Sequence, residues 1–265
     1  MYFLKEASDA GIKEASILLG KIYYRGIVNS QISIPKDELQ GLKYFLKAEE
    51  YEIINQQLSA IKKEANNGNS KYQCFLGELY LGGHVEPQKS YEERIKKAEG
   101  LFLQAAKQGD SEAAFSLAYL YQRIHLYNDS YTWIQKAADM ENSTAMFVMY
   151  ALYSPSVSKN CRAGGFALFN YTMIPKDDSI AIKWLQKGFV KGDLWAKRET
   201  AIRYIIGNGI DQNIDLGCRL LSEAAASGDE ESMETIRNLK MISAVKSLAD
   251  DGNVNAKITY NMLIH

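Results

Sequence analysis

Prolines are scarce, four in 265 residues. A proline inside a helix removes a hydrogen bond and clashes with the preceding turn, so their scarcity favours long helices. Cysteine is also rare. Cys74, Cys161 and Cys218 are odd in number, widely separated and without a CxxC pair. That excludes the usual marks of structural zinc and of a redox dithiol. It fits scattered buried thiols in a cytoplasmic or other reducing compartment. Histidines stand alone at 84, 125 and 265, and no HExxH is present, so no metal site is expected. Neither charge sign dominates. The net charge is −1, which gives no basic stripe for nucleic acid; the pairs Lys62-Lys63 and Lys96-Lys97 read as solvated helix faces. No apolar run reaches the roughly 18 residues of a membrane span. The opening MYFLKEASDAG lacks a basic segment followed by an apolar one, so it is not a secretory signal. No membrane insertion is expected, and delivery to a host cell would need a route without a signal peptide.

What the chain does contain is a repeat. YQCFLGELYLGG, from Tyr72 to Gly83, has the layout of ASILLGKIYYRG, from Ala15 to Gly26. Weaker copies open at Ala113, Ala145, Ala196, Ser232 and Ala256. A second signature precedes each copy, an apolar run with alanine and a stop. Examples are IKKEANNG ending at Gly68, FLQAAKQG at Gly109, WLQKGFVKG at Gly192 and LLSEAAASG at Gly228; in WIQKAADME, Glu141 replaces the glycine. Ala, Leu and Lys at three- and four-residue spacing make an amphipathic helix. The glycine ends it in a left-handed C-cap, and Asp110 or Asp229 beyond it caps the next. Small residues at Gly20, Gly77 and Ala118 let two helices approach closely. Each pair is too small to bury its apolar stripe alone, so stacking must supply the core.

The spacings between opening positions, 57, 41, 32, 51, 36 and 24, are irregular and point to insertions. The longest gap holds an extra helical stretch at 49–64. The 51-residue gap holds 154–175, whose middle, RAGGFALFNYTMI, is apolar enough to pack as a long loop or added turn. The shortest has lost its inter-helix loop. The expected fold is all-α, a right-handed α/α solenoid of about six to seven helix pairs forming one array over 1–265. FLKEASDAG reads as the tail of an earlier second helix and AKITYNMLIH as a first helix without its mate, as in a piece of a longer array.

The pattern A-x-x-x-L-G-x-L-Y-x-x-G is carried by Ala15, Leu19, Gly20, Ile22, Tyr23 and Gly26, and by Leu76, Gly77, Leu79, Tyr80 and Gly83. Followed by A-x-x-x-L-x-x-A-A-x-x-G, it resembles the Sel1-like repeat, a tetratricopeptide-related helical repeat family. The resemblance implies a bacterial adaptor or scaffold, such as an effector or a signalling or envelope-assembly partner. Some secreted relatives clamp each pair with a disulfide, for which the three cysteines here lack the spacing. It also implies that first helices line a concave surface. Two rows of positions outside the packing code would then face a protein partner: Lys71, Glu112, Thr144 and Trp195, and Lys21, Glu78, Tyr119, Ala151 and Ile202. Lys71, Glu78, Glu112, Tyr119, Trp195 and Ile202 are the candidate contacts. Tyr119 and Trp195 suit interface anchors, although gap-filling between irregular units is the competing reading.

No catalytic, cofactor or metal constellation emerges. Gly207-Asn208-Gly209 lacks the Lys-Ser/Thr of a P-loop, and Ala163-Gly164-Gly165 is equally short of a motif. Asp177-Asp178 and Glu230-Glu231 sit at expected helix starts, where negative charge is favoured. Tyr23, Tyr80, Tyr121, Tyr153 and Tyr204 recur in register as packing residues. The expected function is a non-enzymatic protein-interaction scaffold. The alternative is an enzyme or small-ligand binder with a pocket near 154–175, and the oligomeric state stays open.

Overall fold

A computed structural model describes residues 1–28, 33–158 and 162–250. Among them are thirteen α-helices: α1 (Tyr2–Asp9), α2 (Lys13–Arg25), α3 (Glu38–Lys47), α4 (Tyr51–Asn66), α5 (Ser70–Gly82), α6 (Tyr91–Lys107), α7 (Ser111–Arg123), α8 (Tyr127–Asp139), α9 (Ser143–Tyr153), α10 (Asp178–Lys191), α11 (Leu194–Ile206), α12 (Ile214–Ala226) and α13 (Glu230–Asp250). The chain divides into two compact units, Met1–Asn142 and Ser143–His265. In the first, α2 packs on α3, α5 on α6 and α7 on α8; in the second, α9 packs on α10 and α11 on α12. The fold is all-α, built from consecutive helix pairs, as the repeat implies.

The expected caps form. Asp110 accepts from the Ala113 N–H at 3.0 Å and Asp229 from the Ser232 N–H at 3.0 Å. Gly109 ends its helix with φ +87°, a conformation open to glycine without steric cost. Glu141 takes the same role at φ +61° despite its side chain, and Glu49 does so at φ +57°.

Glu49 explains the main departure from the sequence expectation. The second helix of the first pair is α3, ending in FLKAEE, where a glutamate in place of glycine disguises the stop. The stretch around 49–64 is a separate helix, α4, which runs on without a break as far as Asn66 and stops at Gly68. The shortest spacing behaves as expected, because α13 runs from 230 to 250 with no intervening loop. The final copy, Ala256 to His265, lies outside the described residues.

Two short ribbons were not expected. Ile27–Val28 (β1) pairs antiparallel with Ser33–Ile34 (β2), and Arg162–Ala163 (β3) with Phe166–Ala167 (β4). The second is closed by Gly164 and Gly165, at φ +54° and +85°. Positive φ at both central residues is what a type I′ hairpin turn demands, so this glycine pair serves a turn. A 3₁₀ turn follows at Leu168–Tyr171. Phe166, Leu168 and Tyr171 are buried while Phe169 and Met173 stay exposed, so the 154–175 segment packs part of its apolar surface, with the ribbon and the turn set against α9.

Four of the five pairs close through two small positions; in α9–α10 the first-helix position is taken by Tyr150. A Cβ on Gly20 would sit 2.6 Å from the Phe45 ring, and one on Gly77 2.6 Å from the Phe102 ring. The reciprocal positions lie on the second helices, four residues before the large side chain: Gly41, Ala98, Ser130, Ala181 and Gly217, all buried. A Cβ on Gly41 would meet the Tyr24 nitrogen at 2.7 Å and the Gly20 oxygen at 2.9 Å; one on Gly217 would meet the Ala201 oxygen at 2.7 Å. At the same position Ser130 donates its hydroxyl to the Ala118 carbonyl at 2.7 Å. Close helix approach thus lets the large residue fill the seam. Full burial of a phenylalanine such as Phe102, 0% exposed, contributes about 1.5–3 kcal/mol.

Two of the motif tyrosines end in hydrogen bonds to carboxylates. Tyr80 donates to Glu86 at 3.0 Å and Tyr121 to Glu99 at 2.6 Å. Their rings pack in the seam while the hydroxyls reach a carboxylate at its edge, the division of labour that suits tyrosine.

Candidate functional site

In the first unit a groove of about 1080 Å³ opens between three N-terminal turns. Its walls are Pro35 to Lys43 at the start of α3, Asn69 to Cys74 at the start of α5, and Gln108 to Glu112 at the start of α7. A second helix joins two first helices here because α3 lies against α5, which in turn packs on α7. Asp37, Asn69 and Asp110 cap the three helices. Lys36 pairs with Glu38 at 2.5 Å, and Glu112 accepts from the Asn142 amide at 3.0 Å. Lys43 and Lys71 line the groove with no carboxylate within ion-pair distance among the described residues. The groove therefore offers two unpaired ammonium groups, carboxylates already bonded within the unit, and the Tyr72 ring.

Below this wall sit Cys74 and Glu78. The buried thiol donates to the Glu78 carboxylate at 3.8 Å. Burial pushes the Cys74 thiol well above its ordinary range, with the Glu78 and Asp110 charges acting the same way. Burial also raises the Glu78 pKa; the Lys43 charge opposes this without cancelling it. Since the thiolate is the nucleophile, Cys74 is expected to react slowly in the folded protein. Cys218 is exposed, and both thiols are free; Cys161 lies outside the described residues. Native iodoacetamide labelling followed by peptide mass spectrometry is expected to modify Cys218 and spare Cys74 until denaturant is added. Equal labelling of both in the native state would contradict the burial.

Of the six candidate contacts, Lys71 and Glu112 share the groove. Tyr119, on α7, is 37% exposed and stands outside its lining. Glu78 is half-buried behind the wall. Trp195 and Ile202 lie on α11 in the second unit, both half-buried. The Trp195 ring packs 5.3 Å from Phe147 and 5.8 Å from Tyr150. Gly188 makes room for it, because a Cβ there would stand 2.7 Å from the indole. Ala151, read from sequence as a free position, is fully buried. The lysines of α3 escaped the sequence reading because α3 itself did; the pattern Gly41-x-x-x-Phe45, matching Ala98-x-x-x-Phe102, was the signal available.

His84 is half-buried and stacks on Tyr51 with centroids 4.6 Å apart. Burial, and then the Arg94 charge, lower its pKa. Gly207-Asn208-Gly209 turns the chain after α11, with the Asn208 carbonyl accepting from Arg203 at 3.1 Å. Asp177 caps α10. No group of three or more metal-ligating side chains occurs among the described residues, and no described helix is long and apolar enough to cross a membrane.

The sequence profile of the Sel1 repeat matches residues 13–50, 70–110, 163–189 and 196–229. No curated protein matches the chain. Among solved structures, it is similar to a Sel1 repeat protein from Oxalobacter formigenes, at 20% identity and TM-score 0.51, over 90% of this chain and 58% of that one. It is similar also to c5321, a protective antigen of uropathogenic Escherichia coli with an SLR fold, again at 20% identity and TM-score 0.51, over 98% of this chain and 58% of that one. The chain thus spans less than two thirds of either relative. At that identity the likeness speaks for the fold. The profile leaves unmatched residues 1–12, 51–69 with α4, 111–162, 190–195 and the run after 229. With more than half its length matched and its helix pairs closed by the motif's own glycines, the chain belongs to the Sel1 repeat family.

Proposed function

We propose that this chain is a non-enzymatic adaptor that seats an extended segment of a protein partner in the groove formed by α3, α5 and α7. Sel1 repeats generally serve as protein-interaction scaffolds. The observation that carries the finer reading is the groove itself, where Lys43 and Lys71 stand unpaired between capped helix starts. Unpaired cations at a groove edge steer a partner and fix its register. Tyr119, an exposed aromatic on the same α7, extends the contact as an anchor. A standard stable interface buries roughly 1,200–2,000 Å² in total, so the partner would run beyond the groove along the neighbouring first helices. The small-ligand reading for 154–175 is less favoured, since that segment turns Phe166, Leu168 and Tyr171 inward. A reducing compartment such as the cytoplasm belongs to the same reading and rests on the irregular spacing of the three cysteines in the sequence.

Photo-crosslinking tests the reading. A photoreactive phenylalanine at Lys71 or Tyr119 should trap one and the same partner from cells, whereas one at exposed Gln135 on α8 should not. The double variant Lys71→Glu/Tyr119→Ala should weaken binding of that partner at least tenfold with an unchanged melting curve. Trapping from Gln135 alone, or undiminished binding by the double variant, would overturn it.

A further inference from the structure

A second surface of the first unit has different chemistry, at the end where α5 and α7 finish and α6 begins. Tyr91, the first residue of α6, is 43% exposed. The guanidinium carbon of Arg94 lies 5.9 Å from its ring centroid, and that of Arg123, at the end of α7, lies 5.8 Å from it. Two like charges thus share one aromatic ring, with no carboxylate in ion-pair distance of either among the described residues. Arg94 is half-buried, its Nε is fully buried without an acceptor, and its Nη1 packs over Gly83.

The second unit shows how this protein otherwise treats a buried guanidinium. Arg198 is met by Asp229 and Glu231, and Arg203 by Asp178. A buried charge without a partner is costly, and a guanidinium fork is shaped for a carboxylate. Arg94 is half-buried, with a buried Nε but no carboxylate against its guanidinium.

We propose that Arg94 and Arg123 form a docking site for the carboxylate side chains of an acidic peptide segment, with the Tyr91 ring as the platform between them. Cation–π contact holds both guanidinium groups over the ring; Arg123, which is exposed, keeps its N–H fork for bidentate bonding, while Arg94, whose Nε is buried, offers its terminal nitrogens. The exposed ring accepts the aliphatic or aromatic neighbour of an acidic residue. Tyr and Arg are the residue types enriched at interface hot spots. Glu92 and Glu93, beside Tyr91 in the chain, disfavour a compact dianion such as phosphate more than single carboxylates spread along a peptide. The site is separate from the groove and stands or falls independently of it.

The test uses the full chain and a fluorescein-labelled peptide, Glu-Asp-Phe-Glu-Asp-Glu, followed by anisotropy at low salt. The wild type should bind it, a Lys-for-acid counterpart should not bind, and inorganic phosphate at equal concentration should fail to displace it. Arg94→Gln/Arg123→Gln should weaken binding at least tenfold, and Arg94→Lys/Arg123→Lys by an intermediate factor. Phenylglyoxal modification of wild type should fall at Arg94 and Arg123 when the peptide is present, a readout that does not depend on the variants folding. Absence of wild-type binding, unchanged binding by the Gln variant, unprotected arginines, or displacement by phosphate would each overturn the proposal.

Discussion

Gly41→Leu is expected to lower the melting temperature by roughly 10 °C or to prevent folding of the first unit, from about 3 kcal/mol or more of overpacking. Even the first added carbon would sit 2.7 Å from the Tyr24 nitrogen and 2.9 Å from the Gly20 oxygen. Both are backbone atoms of α2, and they cannot rotate away. The helices must separate, and Phe45 and Leu42, each 3% exposed, lose their packing. Gly77→Leu meets the Phe102 side chain instead. A ring can shift, so its cost should be smaller, about 1–3 kcal/mol. Gly100→Ala on α6 meets nothing within 4 Å and should be neutral or stabilising by up to about 1 kcal/mol, the helix propensity difference. Thermal melts of the three variants check the order; a Gly41→Leu protein melting like wild type would refute the close approach of α2 and α3.

Arg198→Met is expected to destabilise the second unit by about 3–5 kcal/mol, because removing one partner of a buried pair strands the other. Arg198 is 7% exposed and donates to both oxygens of Asp229 at 2.8 and 2.9 Å. That carboxylate also caps α13 through Ser232. Burial opposes its ionisation, but hydrogen bonds from the Ser232 hydroxyl and from Arg198 outweigh burial and hold its pKa below the ordinary value. A depressed carboxylate pKa contributes stability above the unfolded pKa of about 3.9, and that stability is lost as pH falls through the folded value. Wild type should therefore lose stability on acidification below about pH 4, and Arg198→Met should lose less over the same range. Arg198→Met/Asp229→Ser, which keeps a capping hydroxyl, should recover much of the loss, since replacing both members of a buried pair is often nearly neutral. Chemical denaturation of the three proteins at pH 7 and near pH 3 provides the check; a single variant as stable as wild type at pH 7 would remove Arg198 from the packing argument.

Much of the architecture was legible because a repeat writes its packing code several times over. Leu19, Gly20, Leu76 and Gly77 could be placed on helix seams from spacing alone, and Asp110 and Asp229 as caps from chemistry alone. The first pair was harder to read. A glutamate stop at Glu49 looks unlike a glycine stop in sequence, and only the backbone shows the same left-handed residue doing the same work. Once α3 was missed, so were Lys36 and Lys43, and with them half of the groove.

The remaining division follows from the range of the forces. Helix formation, capping and the small-large alternation within a pair are local, involving residues three, four or a few tens apart, and sequence by itself determined them: an all-α chain of Sel1 pairs without a metal or nucleophile motif. Which side chains share a surface depends on how one pair stacks on the next. Only the tertiary structure placed Lys71 and Glu112 in one groove, drew Trp195 against Phe147 and Tyr150, and brought Arg94 and Arg123 to one tyrosine. The motif sets the seam inside each pair, but an inserted helix such as α4 changes which helix comes next, and that choice is made by packing across residues the motif does not specify.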